Sequence, residues 1–294
     1  MIDDASSLQE FTPQKDYFIG IDSDGCAFDS MEIKHKECFC PAFIKHFELQ
    51  PVAKYAREVW EFVNLYSRGR GLNRFKAVLK ALDYLRRRPE VKDRSVEVPE
   101  MGGLREWVNR ESRLGNPALE EELQRNPAPD LQRALDWSRA VNRAVEDIVS
   151  GVPPFPYLRE SLGLMGGQAD TVVVSQTPGE ALRREWREQE IDGYVRLIAG
   201  QEMGTKSEHL AGTAGGRYPP ERILMIGDAP GDLEAVRANK ALFYPINPGA
   251  EEASWRRLYE EALARFFGGT YAGEYESSLI GEFEACLPEK APWE

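Results

Sequence analysis

Tyr17-Phe-Ile-Gly-Ile-Asp22-Ser-Asp24-Gly25-Cys-Ala-Phe-Asp29-Ser30 is the stretch whose reading decides the fold. A largely apolar run, short enough for a buried strand, stops abruptly at two carboxylates one residue apart, and the glycine that follows can turn the chain at once. Such a strand delivers an acid to a sheet edge. In a parallel sheet covered on both faces, ligands collect beyond the carboxyl ends of the strands, so this is where a nucleophile or a metal ligand is expected.

Working outward, 294 residues with 42% hydrophobic and 29% charged suit one large globular domain with a smaller one attached. A net charge of −12 argues against a general nucleic-acid binder, which needs Lys and Arg in excess to displace counterions from phosphates. The four cysteines show no paired spacing, and Cys38-x-Cys40 near His35 is too tight and incomplete for a zinc set. The N-terminus is acidic and polar, and no run of about 18 apolar residues occurs, so neither a signal peptide nor a membrane partner is expected. A reduced, cytoplasmic chain is the expectation, as monomer or homodimer.

Residues 1 to 16 lack periodicity and read as a loosely held lead before the opening strand. From Met31 to Val149 the pattern is helical, with apolar residues at three- and four-residue spacing over Ala53 to Tyr66, Arg74 to Arg88 and Leu131 to Val149. Asp130 stands where it could cap the last of these. Gly151-Val-Pro153-Pro154-Phe-Pro156 holds the backbone extended and marks a boundary. Beyond it, strands at Thr171 to Ser175, Val195 to Ala199, Ile223 to Gly227 and Leu242 to Ile246 alternate with helices, among them Gly179 to Glu190 and Asp232 to Ala238. This order predicts βαβ units and an α/β, doubly wound parallel sheet. The expected division is a core of 1–30 and 152–294 with an all-helical cap, 31–151, inserted after its first strand.

Polar groups recur at or just past the strand ends: Asp22 and Asp24, then Ser175 with Gln176 and Thr177, then Lys206, then Asp228 with Asp232. Carboxylates from separate strands suit a hard divalent cation such as Mg2+, which lets a carboxylate and a phosphate approach each other. Asp22 could then attack phosphorus, Asp24 could exchange a proton with the leaving group and with water, and Ser175 and Lys206 could bind the phosphoryl oxygens. Between the two hydroxyls, strand position favours Ser175 over Thr177.

The Asp22-to-Ser30 segment resembles the D-x-D-G-T opening of the haloacid dehalogenase superfamily, in its phosphatase branch. Val172-Val-Val-Ser175 is similar to the second motif, Lys206 to the third, and Gly227-Asp228-Ala-Pro-Gly-Asp232 to the fourth. The resemblance implies a Rossmannoid core with a helical cap and magnesium. It assigns Asp22 as nucleophile and metal ligand, Asp24 as acid/base with its carbonyl on the metal, Asp228 as the second carboxylate ligand, and Asp232 as metal support or orienter of Lys206. Ser175 and Gln176 would join Lys206 on the phosphate. Cys26 and Ala27 depart from the usual Thr and Leu, and the block after Ser30 is larger than the common cap.

The expected activity is hydrolysis of a small phosphorylated metabolite. A phosphonatase or phosphomutase on the same core is the alternative; the former needs a cap lysine, with Lys34 and Lys36 the candidates. A non-enzymatic binder of a phosphorylated ligand is the third reading. In the cap, Arg68, Arg70 and Arg74 cluster around Gly69 and Gly71, and arginine suits bidentate oxyanion recognition, so Arg68 and Arg70 are candidate substrate contacts. Arg86-Arg-Arg88 reads as a helix C-terminus.

Overall fold

The computed structural model describes residues 5–294. Five parallel strands, β1 (Tyr17–Ile21), β2 (Ala169–Val174), β3 (Leu197–Ala199), β4 (Ile223–Gly227) and β5 (Leu242–Pro245), form one sheet in the order β3-β2-β1-β4-β5. β1 is central, pairing Ile21 with Val173 on one side and with Ile226 on the other. The strand order reverses direction on either side of β1, which opens a crevice at its carboxyl end.

Alternate residues of each strand enter different cores. Ile19, Ile21, Val173, Leu224 and Ile226 pack with Trp186 and Trp255. Phe18, Val172, Val174, Met225 and Phe243 pack with Leu210 and Phe283. Burial on both faces explains why these strands read as continuous apolar runs instead of alternating ones.

The residues up to Met31 and Gly151–Leu287 make one compact unit containing this sheet; Glu32–Ser150 and Pro288–Glu294 make the other. The second unit is helical, with principal helices Ala53–Asn64, Arg74–Arg87 and Pro129–Ile148 around a core that holds Trp60, Trp107 and Trp137. Its first segment widens into a π-helical turn over Lys34–Phe39, a variant often found at functional sites.

Three expectations change. The last residues, expected with the α/β core, cluster with the helical unit: Trp293 meets Phe62 and Tyr84 edge-on at 5.4 and 6.3 Å, and the Arg88 guanidinium lies 4.4 Å above its ring. The lead is not loosely held over its described part. It forms the helix Ala5–Gln9, buries Leu8 and Phe11, and is tied down at Gln14 and Lys15, whose N–H groups donate to Asp170 at 2.7 and 3.0 Å. Residues 1–4 of that lead lie outside the described residues. Asp130 is not the N-cap of its helix, which starts at Pro129 after Ala128; it lies in the first turn, where its Oδ1 accepts from Leu131 N at 2.9 Å, and its Oδ2 accepts at 3.1 Å from Leu104 N at the start of the neighbouring helix Gly102–Arg110.

Candidate active site

β1 ends at Ile21, and the Asp22 N–H still donates to Ile226 O of β4 at 3.0 Å, so the sheet's own ladder carries Asp22 to its edge. The chain then folds sharply. Gly25 takes φ +75°, a conformation costly for any residue with a Cβ, and the N–H groups of Ala27 and Phe28 return to Ser23 O at 2.9 and 3.0 Å. Ser23 is anchored below by Trp186, whose Nε1 donates to Ser23 Oγ at 3.0 Å, and Cys26 by Trp255, whose Nε1 donates to Cys26 O at 2.7 Å. The polar Ser23 and the unusual Cys26 are therefore packing residues of a tightly fixed turn. Burial, helped by Asp228 and Asp22, raises the Cys26 thiol well above its ordinary value, so it stays protonated.

Three long-range neighbours complete the edge. The carboxylates of Asp22, Asp228 and Asp232 are all buried, with one oxygen of each within 4.8 Å of the others. Lys206, at the start of the helix Lys206–Thr213, reaches Asp22 Oδ2 at 2.7 Å and Asp232 Oδ1 at 2.6 Å. Burial alone would lower this lysine, but Asp22, Asp232 and Asp228 outweigh it and hold the ammonium charged. Asp232 is pushed up by burial, against which Lys206 acts.

Asp232 has two tasks. Its Oδ2 accepts from Asp228 N and Ala229 N at 3.2 and 3.0 Å, closing the first turn of the helix Pro230–Asn239, while Oδ1 orients Lys206. The close approach explains Gly227: a Cβ there would lie 2.4 Å from Asp232 Cγ.

Asp24 stands apart from that carboxylate group. Its Oδ2 accepts from Thr177 Oγ1 at 2.6 Å and its Oδ1 from Ser30 Oγ. The two hydroxyls have different partners. Ser175, just beyond β2, is buried and its Oγ accepts from Thr177 N at 3.3 Å, while the Thr177 hydroxyl grips Asp24. Gln176 turns sideways, its Nε2 donating to Gly204 O at 2.9 Å and so tying the loop after β2 to the loop before Lys206. Gln201 N donates to Thr177 O at 3.1 Å in the same sense. Ser30 and Thr177 as partners of Asp24 were missed from sequence. The available signal was two hydroxyl residues near strand ends, too common to single out.

In the helical unit Arg68 is exposed, 3.8 Å from Glu289. Arg70 is buried, and its Nη1 donates to Leu65 O at 3.1 Å. Both serve contacts within the protein. Lys36 pairs with Glu32, and that hydrogen bond raises its ammonium, the reverse of what a Schiff-base lysine needs. Lys34 is buried. Among the described residues no helix is long and apolar enough to cross a membrane.

No protein-family model matches this chain, and no curated protein matches it. Solved structures do. A candidate phosphoglycolate phosphatase from Lactobacillus delbrueckii subsp. bulgaricus is similar at TM-score 0.50 and 16% identity, over 84% of this chain and 92% of that one. The chain has the haloacid dehalogenase-like fold. A haloacid dehalogenase-like hydrolase from Streptococcus pneumoniae is similar at TM-score 0.44 and 13% identity, over 82% and 90% of the two chains. Another candidate phosphoglycolate phosphatase, from Haemophilus somnus, is similar at 0.47 and 14%, over 79% and 86%. In the haloacid dehalogenase-like core of this chain, β1 is the strand that carries Asp22 and Asp24.

Proposed function

We propose that the protein is a magnesium-dependent phosphatase that hydrolyses a small phosphorylated metabolite through an aspartyl-phosphate on Asp22. One observation carries the reading: Lys206 is held between Asp22 and Asp232, at 2.7 and 2.6 Å, in a buried group of three carboxylates at the sheet edge. Converging, buried carboxylate oxygens are a hard donor set that fits magnesium and does not fit a soft metal. Asp22, Asp228 and Asp232, with the backbone carbonyl of Asp24, would hold the ion. Bound there, magnesium supplies positive charge that offsets repulsion between Asp22 and a phosphate dianion.

The remaining work falls to side chains. Asp22 attacks phosphorus and forms the acyl phosphate as the P–O bond to the leaving group breaks. Asp24 gives its proton to the leaving oxygen, then takes one from the water that attacks the phosphorus of the acyl phosphate and frees Asp22. Ser30 and Thr177 donate to ionised Asp24, and one hydroxyl must rotate to accept when Asp24 carries the proton. Lys206 and Ser175 bind phosphoryl oxygens, and Gln176 fixes the loop that presents them. The ion pairing of Lys36 weighs against Lys36 as the Schiff-base lysine of the phosphonatase alternative.

The test is phosphate release from a panel of phosphorylated metabolites, with magnesium and after chelation. Asp22→Asn should abolish release while thermal unfolding stays cooperative. Full activity in that variant refutes the nucleophile, and full activity after exhaustive chelation refutes the metal.

A further inference from the structure

Thr177 and Lys206 stand on two different loops of the α/β unit, and those loops are joined to each other at backbone level. β2 and β3 pair up to their ends, with Ser175 N donating to Ala199 O at 3.0 Å. Directly beyond, Gln201 N donates to Thr177 O at 3.1 Å. Glu202 Oε2 accepts at 3.1 Å from the N–H of Gly179, the first residue of the helix Gly179–Glu188. Pro178 before it offers that helix end no side-chain acceptor, so a carboxylate from the neighbouring loop serves in place of an N-cap.

Two glycines show how closely the loops fit. Gly200 has φ −97°, open to any residue, yet a Cβ there would fall 2.5 Å from Gly179 N and 2.7 Å from Gly179 Cα. It is glycine for space alone, because the two backbones are in contact. Gly204 has φ +126°, which disfavours any residue with a Cβ. Between them Gln201–Met203 form one helical turn whose Met203 is buried in the core. Glu208 Oε2 then accepts from Thr205 N at 2.7 Å while Thr205 Oγ1 accepts from Glu208 N at 3.2 Å, a reciprocal pair that sets the start of the next helix at Lys206. The loop leading to Lys206 is thus fixed at both ends, and Glu202 reaches out from it.

We infer that Glu202 is a positioning residue of the active site: from the firmly set Lys206 loop it holds the turn Thr177-Pro178-Gly179, and through the Thr177 hydroxyl it sets the Asp24 carboxylate. Its role in turnover rests on the phosphatase reading above; the joining of the loops does not. Glu202 is itself exposed and acts only through Gly179.

Amide hydrogen exchange of the full chain, read residue by residue by NMR, tests the joint without reference to activity. In Glu202→Ala the Gly179 N–H loses its acceptor and exchanges faster. Gln201 N–H, whose own acceptor Thr177 O is untouched, should lose protection with it by roughly threefold to tenfold, and Glu202→Gln, which keeps an acceptor oxygen, should recover most of the loss. Faster exchange at Gly179 with Gln201 unchanged makes the two bonds independent and overturns the proposal. Phosphate release tests the consequence. Glu202→Ala should lower kcat about threefold to tenfold with KM little changed, and the same substitution in a Thr177→Val background should lower it by less than about twofold, since the path to Asp24 is already cut. Additive losses in the double variant, or a lowered melting temperature with unaltered kcat, overturn the positioning role. Linked exchange in a protein that hydrolyses no phosphorylated metabolite supports the joint and overturns the reading of the reaction alone.

Discussion

Replacing Thr177 by valine isolates one hydrogen bond of the site. Valine keeps the β-branched shape, so packing is little changed, and what disappears is the hydroxyl that donates to Asp24 Oδ2 at 2.6 Å. The other oxygen of Asp24 still accepts from Ser30 Oγ, so the substitution removes one hydrogen bond of the carboxylate and leaves that one in place. A hydrogen bond to a charged acceptor contributes about 1.5–3 kcal/mol when protected from water, and the half-buried position of Thr177 places it at the lower end. A loss of about 1.5–2 kcal/mol in orienting the proton donor corresponds to roughly tenfold to thirtyfold in kcat. KM should change little, because Thr177 holds Asp24 and is not assigned a contact with phosphate. Steady-state phosphate release at saturating magnesium measures both constants. Thr177→Ser, which restores a hydroxyl, should recover most of the rate. Wild-type kcat in Thr177→Val, with an unaltered melting temperature, refutes the idea that Thr177 positions Asp24.

Two further predictions concern the frame around the site. Asp170 is buried and accepts from Tyr218 Oη, Arg196 and the N–H groups of Gln14 and Lys15, and although burial opposes it these donors hold its carboxyl below the usual range. Asp170→Asn should therefore destabilise by about 2–3 kcal/mol, less than a fully buried broken pair because Arg196 stays 27% exposed. A depressed folded-state value means the contribution is complete above the unfolded value of about 3.9 and lost as pH falls through the folded one. Urea midpoints of the two proteins should thus differ by a constant amount from neutral pH down to about 5 and converge on further acidification; a gap that grows in acid contradicts this. Gly227→Ala places a Cβ 2.4 Å from Asp232 Cγ, so Asp232 must move away from Lys206. Expected are about 1–3 kcal/mol of lost stability together with a large fall in phosphate release, and normal values of both would show that the contact relaxes freely.

Much of the fold is legible in the chain itself because it is encoded locally. Apolar runs such as Tyr17–Ile21 and Ile223–Gly227 are short, buried on both faces and stopped by a polar residue, and helical periodicity over Ala53–Asn64 and Arg74–Arg87 needs no partner to be seen. The carboxylate positions are legible for the same reason, since strand ends announce themselves. What depended on tertiary structure is which groups meet. Residues 153 apart in sequence join Thr177 to Asp24, and 184 apart join Lys206 to Asp22. The tail Pro288–Glu294 looks like a continuation of the core until Trp293 is seen against Phe62 and Tyr84. Among three arginines clustered around two glycines, composition favoured Arg68 and Arg70 as substrate contacts, whereas the fold exposes Arg68 beside Glu289, buries Arg70 against Leu65 O and bonds Arg74 to Ser138 and Asn142. Hydrophobic patterning states how deeply each element is buried, but the compensation of a charge is a property of pairs, and pairs are made only when the chain is folded.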